Sequence, residues 1–254
     1  MNNQISAVII CLNAADTITK AISSLQTITD NIIVADSGST DGTQDLVAVT
    51  NAKLINQPWQ GYGPSKNLAG SHAKYNWLLS LDADEYLPDD FTNGLQQLDL
   101  QNENQVFQFK RVNFLGKKAI RYGEWSRDKV IRLFNKNTAA WDASPVHEQL
   151  TYEQQVVITK APMHIYHRTA TDIRSYQQKI KRYAKLMAEK NFANNKKVSW
   201  AKIYLSPLFN FIQNYILRLG FLDGKEGWQI AMAHAGYTYD KYSLLQELYK
   251  KEKQ

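Results

Sequence analysis

The stretch Trp77-Leu78-Leu79-Ser80-Leu81-Asp82-Ala83-Asp84-Glu85 runs from a mostly apolar segment into three carboxylates. A short apolar run bounded by polar residues reads as a buried strand of a parallel sheet. Ligands of open α/β sheets bind just beyond the carboxyl ends of such strands, so these acids are expected to face a ligand cleft. Alternation along an extended chain would turn Asp82 and Asp84 to one side and Ala83 to the packing side. Two hard oxygen donors held in that way suit Mg²⁺ or Mn²⁺ and the phosphates of a nucleotide. The same alternation turns Glu85 away from Asp84, which makes it a structural hydrogen-bonding group.

Upstream, strand-like and helix-like segments alternate. Residues 5–12 form an apolar β-rich run, and 14–25 carry Ile18, Ala21, Ile22 and Leu25 at helical spacing. Residues 31–35 read as a strand ending at Asp36, 43–49 as a short helix, 53–56 as a strand, and 64–73 as a helix with Pro64 near its start. This alternation predicts an α/β protein with a parallel sheet and helices on both faces. From Gln105 the pattern becomes β-rich, at 106–114, 129–134 and 155–163, which extends the sheet. Beyond Thr169 it becomes helical, with Ile173, Tyr176, Ile180, Tyr183 and Met187 on one stripe and Arg174, Lys181 and Lys185 off it. Residues 203–217 carry no charge but fall short of the about 20 apolar residues a membrane-spanning helix needs. They are expected either to lie in a membrane interface or to pack on the main domain. The predicted organisation is a domain over 1–168, with a nucleotide-binding half at 1–98 and an acceptor-side half at 99–168, followed by a basic helical extension over 169–254.

Composition narrows the class. Of 254 residues, 44% are hydrophobic, enough for a real core and against a disordered chain. Cys11 is the one cysteine, so no internal disulfide forms and a reducing compartment is the simplest reading. No basic segment precedes the first apolar run, so a cytoplasmic location is expected. The formal net charge is +6 and is unevenly spread: residues 160–202 hold eleven Lys or Arg against Asp172 and Glu189. A basic face of that kind fits anionic lipid, nucleic acid or phosphorylated glycans, if it is more than a solvated helix face.

The second informative stretch is Val34-Ala35-Asp36-Ser37-Gly38-Ser39-Thr40-Asp41-Gly42-Thr43. Its small residues let the backbone approach a ligand, and Thr40 or Asp41 can cap the helix that starts near Thr43. Asp36 is placed to accept from ribose hydroxyls or a base N–H, although an isolated stretch of this kind is also an ordinary Asp-Gly turn.

Taken together, Asp36 to Thr43 and Leu81-Asp82-Ala83-Asp84-Glu85 make the chain resemble the inverting GT-A glycosyltransferases of family 2, with Ser37 inserted into the usual Asp-Gly-Ser order. The resemblance implies a Rossmann-like mixed sheet flanked by helices, a nucleotide-sugar donor and a divalent metal, Mg²⁺ or Mn²⁺. It implies nucleoside contacts at Asp36, Ser37 and Gly38, and metal and sugar-diphosphate contacts at Asp82, Ala83 and Asp84. Asn13 matches the Asn of the family's Asn-Glu pair, with Ala14 in place of the Glu and Asp16 a candidate substitute. Gly61-Tyr62-Gly63-Pro64-Ser65-Lys66-Asn67-Leu68-Ala69 resembles the family's basic-Asn segment, with Lys66 near a phosphate or the donor sugar. Trp59-Gln60-Gly61, Arg132-Leu133-Phe134, Val146-His147-Glu148 and Gly220-Phe221-Leu222-Asp223-Gly224 bring it near the lipopolysaccharide-core heptose β-glucosyltransferases. That implies UDP-glucose as donor, a glycan or glycolipid acceptor such as the lipopolysaccharide inner core, no nucleic-acid partner, and a peripheral position on the inner face of the cytoplasmic membrane.

An inverting transfer needs a carboxylate to take the proton of the attacking hydroxyl. Glu148 is favoured because it lies on a loop entering the cleft, with Asp128 and Glu124 as the other candidates. His164 is a candidate metal or diphosphate contact, His147 a second, and His167 is expected only on the surface or in packing. Two competing classes are an Asp-X-Asp metal-dependent phosphohydrolase, which leaves the Asp36 loop unexplained, and a membrane-surface binding module, which leaves both acid clusters unexplained.

Overall fold

A computed structural model describes residues 4–144, 148–152 and 155–252. β1 (Ile5–Cys11) is buried at every position, and its side chains divide by parity. Ile5, Ala7, Ile9 and Cys11 enter one core together with Ile18, Ala21, Ile22 and Leu25 of α1 (Ile18–Leu25); Val8 and Ile10 enter a second core on the other face. This is the period of two of a strand that is covered on both sides. β2 (Ile32–Asp36), α2 (Thr43–Ala48), β3 (Lys53–Asn56), α3 (Tyr62–Ser71) and β4 (Trp77–Asp82) repeat the unit, with Ala69 of α3 in the second core. Then follow β5 (Glu85–Tyr86), α4 (Phe91–Leu95), β6 (Gln105–Leu115), β7 (Lys118–Ile120), β8 (Lys129–Asn135), β9 (Ala139–Trp141), β10 (Leu150–Tyr152) and β11 (Val157–Ala170). α5 (Ile173–Ala193), α6 (Trp200–Phe211) and α7 (Gly224–Glu252) complete the chain, with a π-turn at Ile212–Leu217 and a 3₁₀ turn at Gly220–Asp223 between the last two.

The chain forms two compact units, Met1–Arg111 with Lys129–His167, and Val112–Asp128 with Arg168–Gln254. In the first unit the sheet runs β3-β2-β1-β4-β8-β6-β11-β5. It is parallel from β3 to β4, and the β4–β8, β8–β6 and β11–β5 pairs are antiparallel. The expected α/β sheet is therefore present and mixed. Strand order leaves β1 toward β2 on one side and β4 on the other, the switch point at which open α/β sheets bind ligands.

In the second unit the end of β6 pairs with β7, and Leu115, Ile120, Trp125, Tyr176, Ile230 and Ala233 form a separate core. Asp172 and Ser175 close a capping box on α5, and Ser199 caps α6. The expected stripe on α5 changes along its length. Ile173, Tyr176 and Ile180 face the core, but farther on Ala184 and Ala188 are buried and Tyr183 is exposed. Two alanines let α5 lie close against α7, where a tyrosine would hold it off. Among the described residues, no helix is long and apolar enough to cross a membrane.

Candidate active site at the strand ends

The loops that follow β1 and β2 are clasped together by the polar residues of the Asp36–Thr43 stretch. Asn13 accepts from the Thr40 N–H at 2.9 Å through its side-chain oxygen, and its own N–H donates to Ser39 Oγ at 2.8 Å. The Ala14 N–H donates to Thr43 Oγ1 at 2.8 Å and the Ala15 N–H to Asp41 Oδ2 at 3.0 Å. Asp41 also accepts from the Thr43 N–H at 3.1 Å, but the cap position of α2 is Gly42 rather than Thr40 or Asp41. Gly38 and Gly42 hold φ of +97° and +88°, in the region that favours glycine.

Asp36 lies beneath this clasp and is fully buried. It accepts from the Gly38 and Ser39 N–H groups at 3.0 and 2.8 Å, from Ser39 Oγ, from Gln44 Nε2 at 2.7 Å and from the Cys11 thiol at 3.3 Å. Burial alone would raise its pKa, but the donors, led by Ser39, outweigh it and hold the carboxyl below its ordinary range. Burial and the Asp36 carboxylate push the Cys11 thiol up, so it stays protonated and donates. Two carboxylate oxygens offer about four acceptor sites, and five protein donors already use them. Asp36 thus shapes the loop from below, and a ligand reaches it only by displacing one of these donors. Ser37 is half-buried, and among the described residues its Oγ has no hydrogen-bond partner.

β4 carries the second half of the site. Trp77, Leu79 and Leu81 point into the α1 core and Leu78 into the α3 core, so parity sends Asp82 toward α3. There Lys66 Nζ lies 3.0 Å from Asp82 Oδ1 and 2.7 Å from Glu148 Oε1. Lys66 is 2% exposed and also stands over the Trp141 ring. Asn67 fixes this arrangement by donating to the Trp141 carbonyl at 2.7 Å and accepting from the Trp141 N–H at 2.9 Å. From β8, Arg132 pairs with Asp82 Oδ2 and with Glu85 Oε1 at 2.7 Å, and Arg111 reaches Glu85 at 2.8 Å. Burial would raise the Asp82 pKa, but Arg132 and then Lys66 hold its carboxyl well below the usual range. Burial would likewise lower Arg132, but Asp82 and Glu85 keep it more firmly protonated than usual.

The alternation expected for Asp82 and Asp84 does not hold, because β4 ends at Asp82 and residues 83 and 84 form a turn. Glu85 staples that turn by accepting from the Asp82 N–H at 3.0 Å, the structural role foreseen for it. Asp82 is thereby committed to Lys66 and Arg132. Asp84, 38% exposed, meets His167 Nε2 at 3.2 Å. The histidine at the acids is therefore His167 rather than His164: along β11, Met163, Ile165 and His167 are buried and His164 is exposed. His147 lies outside the described residues.

Asp128 and Glu124 belong to the second unit. Asp128 accepts from Asn113 Nδ2 at 2.9 Å, and Glu124 from Asn214 Nδ2 at 3.2 Å beside His234 at 3.3 Å. Asp16 is exposed. The position of His167 beside Asp84, the bonds of Asn67 to Trp141 and the pairing of Arg132 were not expected from the sequence. A signal for the last was present, since one charge inside Val130-Ile131-Arg132-Leu133-Phe134 requires a buried partner.

Asp36 and Asp82 end strands on either side of β1, with Cys11 beside Asp36 and Ile10 beside Asp82. Two inter-strand spacings separate them, about 10 Å, a span suited to a nucleoside at one end and its phosphates at the other. Asp84 with His167 offers one hard oxygen and one imidazole nitrogen. Among the described residues no group of three or more His, Cys, Asp or Glu side chains could hold a metal ion. Asp84 and His167 could supply two ligands to Mg²⁺ or Mn²⁺, and the remaining ligands would have to come from substrate oxygens and water.

The sequence profile of glycosyl transferase family 2 matches residues 6–153. An uncharacterized glycosyltransferase of Rickettsia bellii is 27% identical over 98% of this chain and 88% of its own length. The lipopolysaccharide core biosynthesis glycosyltransferase LpsC of Rhizobium meliloti is 27% identical over 94% of this chain and 93% of its own. The crystal structure of S. aureus TarS residues 1–349 aligns over 97% of this chain and 91% of that one, with 14% identity and a TM-score of 0.45.

Proposed function

The chain belongs to glycosyl transferase family 2, and on that premise we propose that it transfers a sugar, with inversion, from a nucleoside-diphosphate donor to a lipopolysaccharide-core glycan. The observation that carries the reading is the pair of acid-bearing strand ends flanking β1, one built into a loop clasp and the other into a cation-balanced cluster. The acceptor class draws on the relationship to a protein named for lipopolysaccharide core biosynthesis. UDP-glucose is the donor to try first.

In this reading the clasped loops of Asn13 and Asp36–Thr43 receive the nucleoside, with Asp36 preserving the loop's shape. Asp84 and His167 would hold the divalent cation, and Asp82 holds Lys66 and Arg132 in place. When bound, such a cation supplies positive charge to the departing diphosphate. Lys66 adds a second, protein-borne charge close by.

Glu148 is proposed as the base. Lys66 holds its Oε1, and among the described residues no hydrogen-bond partner is present at Oε2, which can accept the acceptor hydroxyl's proton. As that proton leaves, the hydroxyl oxygen bonds to the anomeric carbon. The bond from that carbon to the phosphate oxygen breaks, and the electron pair departs with the nucleoside diphosphate. One displacement inverts the anomeric centre.

A phosphohydrolase reading would use Asp82 as nucleophile, yet each of its oxygens already carries a cation. Incubating the enzyme with radiolabelled nucleotide sugars, Mn²⁺ and deacylated core oligosaccharide tests the proposal. Metal-dependent labelling of the oligosaccharide with the opposite anomeric configuration supports it. Phosphate release from simple phosphomonoesters without labelling would overturn it.

A further inference from the structure

The second unit turns an apolar face outward. On α6 and the π-turn, Tyr204, Leu205, Leu208, Phe209, Ile216 and Leu217 are 51 to 67% exposed, while Ile203 and Asn214 on the inner side are 2% exposed. A water-facing helix is ordinarily polar outward, so this element is anchored by one face and inverted on the other. Ring contacts carry the surface onward. Trp200 meets Tyr204 at 5.5 Å, and Trp228 of α7 meets Phe211 at 5.1 Å and Tyr215 at 5.3 Å. Exposed Phe221 and Leu222 of the 3₁₀ turn and Met232 of α7 add to it. A contiguous apolar surface of this kind marks an interaction site.

The charges say what kind. Residues 190–222 contain Lys190, Lys196, Lys197, Lys202 and Arg218 and not one Asp or Glu. The next acid, Asp223, is buried and accepts from the Arg121 and Tyr122 N–H groups, so it does not offset them. We propose that this face is a membrane-docking surface. Leu205, Leu208, Phe209 and Leu217 enter the acyl boundary of an anionic bilayer, Trp200, Tyr204 and Trp228 lie at headgroup level, and the lysines pair with lipid phosphates.

Aromatic side chains with a polar tip favour that depth, and basic residues beside an apolar helix face favour anionic lipid. The run is too short to span and includes Pro207, which leaves a helix lying in the interface. A face-to-face contact with a second copy is disfavoured, because it would place two sets of unbalanced positive charge together. The surface lies on α6 and its continuation rather than on the basic α5. None of these residues takes part in the proposed sugar transfer, so the two proposals fail independently.

The test is co-sedimentation of the full chain with vesicles of phosphatidylglycerol and phosphatidylethanolamine, with pure phosphatidylcholine vesicles in parallel. The wild type is expected to bind the anionic vesicles at least about tenfold more strongly, since several lysines each add attraction near such a surface. Leu205→Glu/Leu208→Glu/Phe209→Glu should weaken binding by about a hundredfold or more. A second variant, Lys196→Glu/Lys197→Glu/Lys202→Glu, should remove the preference for anionic lipid, and circular dichroism on both variants checks that the helices remain. Absent binding, equal binding to both vesicle types, or a folded apolar-to-Glu variant that binds like the wild type would each overturn the proposal. So would light scattering that shows a wild-type dimer made monomeric by the same apolar substitutions.

Discussion

Asp82 and Asp84 are two positions apart and have different roles, and the cause is local. One turn at residues 83 and 84 sends the first carboxylate to Lys66 and Arg132 and leaves the second at His167, partly in solvent. Asp84→Ala should therefore remove little of the fold and much of the chemistry. We expect a kcat at least about a hundredfold lower, about 2.7 kcal/mol of transition-state stabilisation, with a nearly unchanged melting temperature. Arg132→Met should behave in the opposite sense. It leaves Asp82 and the fully buried Glu85 without their strongest cation, and urea unfolding should report a loss of about 3 kcal/mol. Glu148→Gln keeps the size and the Lys66 contact but loses the base. Single-turnover rates should fall by about 10²- to 10⁴-fold while donor binding, measured by calorimetry, is retained. The Asp36–Thr43 stretch was legible as a loop at a strand end. Its inner bonding was not, because the groups of this stretch that bond to Asn13, Ala14 and Ala15 lie 26 to 29 residues away along the chain and meet them only when β1 pairs with β2.

At the scale of elements, α3 brings the basic side chain to the acids, and its placement depends on close approach. A Cβ at Gly63 would stand 1.8 Å from the Asp142 carbonyl oxygen. Gly63→Ala must therefore shift α3 or β9, costing about 2 kcal/mol, and it should lower kcat with KM because Lys66 moves with the helix. Denaturant titration and steady-state kinetics on one preparation check both effects. α7 supplies a second case. Burial lowers the pKa of His234 despite the Glu124 carboxylate, with Tyr176 at 2.8 Å and Arg218 also acting on it. The unfolded chain then binds the proton more readily than the folded one. The stability His234 contributes is present above about pH 6.5 and is lost as pH falls below it. Melting temperatures across pH 5 to 8 should drop more on the acid side for the wild type than for His234→Gln. Helix periodicity located α5, but which of its residues are buried was set by the spacing of α5 from α7, which favours Ala184 and Ala188 over Tyr183.

For the whole molecule, donor binding should raise stability by mass action. With Mn²⁺ present, the preferred nucleotide sugar at a hundredfold excess over its Kd adds about 2.7 kcal/mol, visible as a thermal shift that the other sugars do not match. The first unit, with its switch point at β1, was largely readable from alternating apolar runs, because a strand buried on both faces and an amphipathic helix leave distinct periods in sequence. The family, too, was readable there, from short stretches at the strand ends. The amino-acid order by itself determined which segments become strands and helices, that acids lie at two strand ends, and that the chain beyond Thr169 is basic and helical. Tertiary structure alone decided which charges pair. Lys66 with Glu148, Arg132 with Asp82 and His167 with Asp84 join residues 50 to 83 positions apart. Strand order and helix spacing, rather than any local propensity, bring those groups within hydrogen-bonding distance.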